Sequence, residues 1–148
     1  MHFDVFNGDA DGIIALVQLR LVQPKKSVLV TGVKRDINLL EKVDINAATS
    51  VTVLDVSMEK NAIALTELLS KDVEVFYVDH HRAGDIPQSE KLNTIIDTDA
   101  NTCTSLLINR YLNGQYAHWA ITAAYGDNML VSAEKLADEQ GLNQTQKS

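Results

Sequence analysis

The chain has 148 residues, 45% of them hydrophobic, and a net charge of −7 with a pI near 4.9. That length supports one compact domain, and the acidic balance argues against a broad basic surface for long duplex nucleic acid. The single cysteine, Cys103, rules out an internal disulfide. With no leader-like start and no membrane-length apolar run, a cytoplasmic chain without a membrane partner is expected.

In chain order, Phe3-Asp4-Val5-Phe6 reads as a first strand, broken at Asn7-Gly8. Ile13 to Leu21 carries helical spacing, with Pro24 as a stop signal. Ser27 to Thr31 is a second β-rich run, and Asn38 to Lys42 is expected as a short helix. Val51-Thr52-Val53-Leu54-Asp55 is the third strand, followed by an amphipathic helix over Met58 to Leu69 with Ile63, Leu65, Leu68 and Leu69 as its apolar positions. Val73 to Val78 is a fourth strand of nearly continuous apolar character, which suits burial on both faces of a parallel sheet. Thr94-Ile95-Ile96-Asp97 is a fifth, short strand. From Asn101 onward the pattern turns helical: Cys103 to Leu112, Ala117 to Tyr125 and Leu130 to Gly141, with Trp119 and Tyr116 expected to pack there. The alternation predicts an α/β fold, an open parallel sheet of about five strands with helices on both faces and a helical C-terminal third.

Acids end several of these strands, and the carboxyl edge of an open parallel sheet is where such folds bind ligands. Asn7-Gly8-Asp9-Ala10-Asp11-Gly12 puts two carboxylates one residue apart in a glycine-bracketed turn. The plain alternative is helix capping. A calcium loop is a second alternative, but Gln18 stands where a bidentate Glu belongs. An aspartyl-phosphate phosphatase using Asp9 as nucleophile is a third, and a receiver domain with Asp55 as phosphoacceptor a fourth. Asp55 by itself reads as a cap shared with Ser57, and Cys103 as a packed structural thiol. Asp79-His80-His81 then ends the fourth strand, with half of the chain's four histidines. Neighbouring residues on a strand point to opposite sides, so His80 and His81 are expected to play different roles.

Asp-x-Asp, then Asp, then Asp-His-His, in this order and each after a strand, resembles the DHH phosphoesterase superfamily. A fourth acid, Asp127 in Gly126-Asp127-Asn128, and the segment Asn101 to Leu107 extend the resemblance. It implies that Asp9, Asp11, Asp55, His80 and Asp127 ligate two divalent ions, with Asp55 shared, and that His81 faces the reacting phosphate. Asp79 would orient a histidine from behind, and Asn7 would support the first ion, whose shell is thinner because Val5 and Asn7 stand where many members carry His or Asp. Arg82, Thr102, Thr104 and Ser105 are candidates for holding phosphate oxygens, Thr102 to Ser105 through a helix amino end. Carboxylates with imidazole suit Mn²⁺ or Mg²⁺, and imidazole favours Mn²⁺.

The implied activity is hydrolysis of a phosphodiester or phosphoanhydride by a water activated between two ions. The substrate would be a short single-stranded oligonucleotide, a cyclic dinucleotide or a small phosphorylated molecule. The alternative is a metal- or nucleotide-binding module without turnover. Residues 1–142 are expected to form the catalytic domain and 143–148 a polar tail. Relatives usually add a second, substrate-binding domain; its absence here is expected, and with it a homodimer or a partner supplying that half.

Overall fold

The computed structural model describes residues 1–33, 36–115 and 117–126. The five β-rich runs form β1 (His2–Asn7), β2 (Ser27–Gly32), β3 (Ser50–Leu54), β4 (Glu74–Asp79) and β5 (Leu92–Ile96). They make one sheet in the order β2-β1-β3-β4-β5, and every pairing is parallel. The register sets Val5 opposite Val30 and Val53, and Val53 opposite Tyr77, so a row of β-branched and aromatic side chains crosses the sheet.

Among the described residues the α-helices are α1 (Ala10–Val22), α2 (Ala62–Ser70), α3 (Thr104–Tyr111) and α4 (Ala117–Gly126). The chain runs one way along the sheet from β1 to β2 and the other way from β3 to β4. Right-handed crossovers therefore put α1 and α2 on opposite faces. The core divides accordingly. Phe3, Val5, Val53, Val75 and Tyr77 pack under Leu65 and Leu68 of α2, whereas Phe6, Leu54 and Val78 pack against Leu16 and Leu19 of α1 and Leu107 and Ile108 of α3.

Four local expectations change. The short helix near residue 40 is a 3₁₀ turn, Leu39–Lys42, and the helix after β3 begins with another, Glu59–Asn61, before α2 starts. Ile63 is 78% exposed, because the helical period that buries Ala64, Leu65 and Leu68 turns it to the opposite face. Trp119 is 38% exposed and lies beside the His118 ring rather than in the core. The expected helix from Leu130 to Gly141 and the tail lie outside the described residues, as does Tyr116.

Strand β1 also holds a charge that its apolar look concealed. Asp4 is completely buried on the α1 face, with Arg20 Nε 2.9 Å, His2 Nε2 2.9 Å and the Ser27 hydroxyl 2.7 Å from its carboxylate oxygens. Burial alone would raise its pKa, but the bonds from Arg20, His2 and Ser27 outweigh it and hold the carboxyl well below the usual range. In the unfolded chain an Asp titrates near about 4. The bonded pair thus stabilises the fold fully above that pH and loses its contribution as pH falls below it. Asp4→Asn leaves the Arg20 charge without its partner and is expected to cost about 3–5 kcal/mol. Urea denaturation at pH 7 measures this cost, and the gap to the wild type is expected to narrow as pH falls below about 4.

Candidate metal centre

Strand order reverses between β1 and β3, and in open parallel sheets the crevice at such a switch point receives ligands. The turn after β1 and the residue after β3 stand on either side of it. In the first, Asp9 caps α1, its Oδ1 accepting from the Gly12 N–H at 2.9 Å, and Asn7 Oδ1 accepts from the Asp9 N–H at 3.2 Å. The turn is so tight that a Cβ on Gly12 would lie 2.1 Å from the Asn7 carbonyl oxygen, so only glycine fits there. This packing places Asp11, itself completely buried, in the first turn of α1.

Asp55 leaves β3 in the left-handed region, with φ 62°. Asp tolerates that conformation better than most residues, and it turns the chain sharply at the strand end. Next door, β4 ends in Asp79, followed by the two histidines. His80 Nε2 lies 3.0 Å from Asp55 Oδ1 and 3.6 Å from Asp11 Oδ2. His81 Nδ1 is 2.7 Å from Asp79 Oδ1, and the two imidazoles stand 4.4 Å apart. One donor atom from each of Asp55, Asp79, His80 and His81 falls within 4.8 Å of all the others. The histidines leave the strand on a bend that splits the pair: His80 turns to the carboxylates of Asp55 and Asp11, and His81 is tethered to Asp79.

The electrostatics of this corner are severe. Burial, then the negative charges of Asp11, Asp9 and Asp79, push the Asp55 carboxyl up to about 10. The bond to Asp79 raises the His81 pKa against the opposing effect of burial.

A family profile described as the DHH family, N-terminal domain, matches residues 3–133. The chain belongs to this family. Among solved structures, RecJ from Thermus thermophilus in complex with Mn²⁺ is similar, with 19% identity and a TM-score of 0.53. That match covers 83% of this chain and 21% of the RecJ chain, so the DHH domain here spans about a fifth of that protein's length and shares its fold. No curated protein sequence matches the chain.

The donor set of the DHH domain fits a divalent cation on two grounds. Carboxylate oxygens with imidazole nitrogens are the ligands that Mn²⁺ and Mg²⁺ accept. In addition, Asp79 Oδ2 is buried with no hydrogen-bond partner among the described residues, and Asp55 sits among acids whose combined charge a cation would offset. Asp127 lies outside the described residues.

The start of α3 has a different task from the phosphate contact expected for Thr102, Thr104 and Ser105. The Thr104 and Ser105 N–H groups donate to the two Asp11 oxygens, at 3.0 and 2.7 Å. Ser105 Oγ donates to the Asp11 carbonyl at 2.8 Å, and Thr104 Oγ1 to Asp55 Oδ1 at 3.1 Å. Asp11 thus caps the helix, which fixes one acid and steadies another. Both residues are completely buried, so the N–H groups face Asp11 and not an outside anion. Thr102 is also buried, with its hydroxyl unpartnered among the described residues, while Arg82 is exposed. Cys103 is completely buried at the position just before the helix. Thr104→Val keeps the shape and the N–H but removes the hydroxyl from Asp55. It is expected to weaken Mn²⁺ binding about tenfold by calorimetry, as loss of a ligand's supporting bond does, with little change in thermal stability.

Proposed function

We propose that this DHH domain is a Mn²⁺- or Mg²⁺-dependent phosphoesterase that hydrolyses a phosphodiester or phosphoanhydride. The substrate class is a short single-stranded oligonucleotide, a cyclic dinucleotide or a small phosphorylated molecule. The observation that carries this reading is the convergence of Asp11, Asp55 and His80 at the switch point, with His81 held beside them by Asp79. Asp9, Asp11, Asp55, His80 and Asp127 would hold two ions, with Asp55 shared. When bound, such ions supply an acidified water and offset the charge that builds on the phosphoryl oxygens.

The chain's own residues set the rest. His81 Nδ1 is committed to Asp79, which leaves Nε2 to meet the substrate. Because Asp79 raises the ring's basicity, both nitrogens stay protonated to higher pH, and Nε2 can donate to a phosphoryl or leaving oxygen. Thr104 and Ser105 keep Asp11 from swinging away, so the ligand set is organised before substrate arrives. The Mn²⁺ in the RecJ complex supports the choice of ion.

The test is turnover of bis-p-nitrophenyl phosphate and of a dinucleotide by the full chain. Release of product that requires Mn²⁺, stops with a chelator and returns on adding Mn²⁺ is the expected result. Tight Mn²⁺ binding without turnover of any phosphoester would leave a binding module instead. A trapped acyl-phosphate on Asp9 would support the aspartyl-phosphate chemistry.

A further inference from the structure

Asp55 depends on a stretch of backbone that does not hold itself. At φ 62° it occupies a region where a residue with a side chain persists only if its surroundings keep it there. A return to negative φ would swing the Cα–Cβ bond, and the carboxylate would leave its place 3.0 Å from His80 Nε2. On the amino side the chain is fixed by the sheet. The Asp55 N–H donates to the Val78 carbonyl at 3.0 Å, continuing the pairing of β3 with β4. On the carboxyl side the ladder has ended, and a side chain takes over.

That side chain is Tyr77. It is completely buried in the core beneath α2, and its hydroxyl donates to the Val56 carbonyl at 2.6 Å. No backbone N–H among the described residues pairs with that carbonyl, and Val56 is itself buried. An unpaired buried carbonyl is costly, so the phenol supplies a partner that the sheet does not. The register sets Tyr77 opposite Val53, and its ring thus reaches from the last rungs of the ladder to the residue just beyond Asp55. One residue further, the Ser57 carbonyl accepts from Asn61 Nδ2 at 2.8 Å. Asn61, also buried, donates to the Ile37 carbonyl at 2.7 Å and accepts from the Leu40 N–H at 3.2 Å, which ties this turn to the segment after β2. Two buried side chains therefore hold consecutive carbonyls, and the Tyr77 bond is the one next to the acid.

Packing alone does not call for a phenol here, because Phe would fill the same space in an apolar strand. The hydroxyl adds a fixed point. We propose that Tyr77 is a positioning residue for the metal centre. Its hydroxyl locks the turn after β3, which keeps Asp55 in the left-handed conformation and its carboxylate aimed before an ion arrives. Tyr77 touches neither ion nor substrate and acts through Asp55. The proposal rests on Asp55 as a ligand in the phosphoesterase reading above.

The experiment measures Mn²⁺ binding by calorimetry to the full chain, to Tyr77→Phe and to Val75→Ala, each well below its melting temperature. Tyr77→Phe keeps the ring and removes only the hydroxyl. Val75→Ala opens a space in the same strand and the same core. Tyr77→Phe is expected to raise the Mn²⁺ dissociation constant about tenfold, as loss of a bond that orients a ligand does, and Val75→Ala to leave it unchanged. The Mn²⁺ concentration for half-maximal turnover of bis-p-nitrophenyl phosphate should rise by the same factor in Tyr77→Phe. Its kcat at saturating Mn²⁺ should change little, since the carboxylate regains its place once ligated. An unchanged dissociation constant in Tyr77→Phe overturns the proposal, whatever happens to its melting temperature. Equal weakening in both variants also overturns it, because general loosening of the core then explains the loss. If the wild type binds Mn²⁺ but turns over no phosphoester, the phosphoesterase reading fails, while the contrast between the variants still decides the role of Tyr77. If the wild type binds no Mn²⁺, both fall.

Discussion

His81→Ala is expected to lower kcat on a phosphodiester by about 10²–10⁴-fold, the range spanned by a positioned proton donor. The Mn²⁺ dissociation constant should change little in the same variant. The structure gives this pairing of outcomes its force. His81 and His80 are adjacent in sequence, yet His80 Nε2 is 3.0 Å from Asp55, while His81 Nδ1 is held 2.7 Å from Asp79. If His81 also ligates an ion, as its place within the four-residue donor cluster permits, Mn²⁺ affinity will fall together with kcat. Parallel calorimetry and steady-state kinetics separate the roles. The pH profile adds a sign: Asp79 raises the His81 pKa, so the proton on Nε2 is present below that pKa and lost as pH rises through it. Activity that depends on His81 as donor should therefore fall on the alkaline side, and Asp79→Asn should bring that fall to lower pH.

Asp55→Asn is expected to weaken Mn²⁺ binding by about 100-fold or more, beyond what loss of a supporting bond causes. Asn keeps the volume and tolerates the left-handed backbone at φ 62°, so the change removes charge with little distortion. The same variant should make the metal-free fold more stable, by about 1 kcal/mol or more. In the folded chain, burial and the charges of Asp11, Asp9 and Asp79 push the Asp55 carboxyl up to about 10 from a usual 3.8. A folded-state pKa above the unfolded one means that folding takes up a proton, so stability falls as pH rises between those values. Asn has no proton to lose and escapes that penalty. Thermal denaturation with and without Mn²⁺ checks both halves. The variant should melt higher than the wild type without the ion and gain less from adding it.

Much of this arrangement was legible in the sequence because it depends on short-range regularities. Short β-rich runs, the third, fourth and fifth of them ended by acids, gave the strands to within about two residues at their ends. The parallel direction of the strands then brought Asp11, Asp55 and Asp79 to one edge of the sheet. What escaped were pairings between residues far apart in the chain. Asp11 is capped by N–H groups 93 and 94 residues away, and the Thr104 hydroxyl meets Asp55 across 49 residues. Small residues at the start of α3 look like an anion site, and they are one, but the anion is a side chain of the protein itself. Asp4 hid inside an apolar run because its partner, Arg20, is contributed by the next element, 16 residues on. Asn61 gave no signal beyond being a polar residue near a helix start. Its role exists only because two loops converge on it.

A divalent metal centre at the switch point between β1 and β3 is open to direct test by anomalous diffraction from Mn²⁺-soaked crystals of the full chain. The expected result is anomalous density within ligand distance of Asp11, Asp55 and His80, bounded on its other side by His81, and no such density in Asp55→Asn. Mn²⁺ density confined to other parts of the molecule, or an Asp55→Asn crystal with the ion still in place, would contradict it.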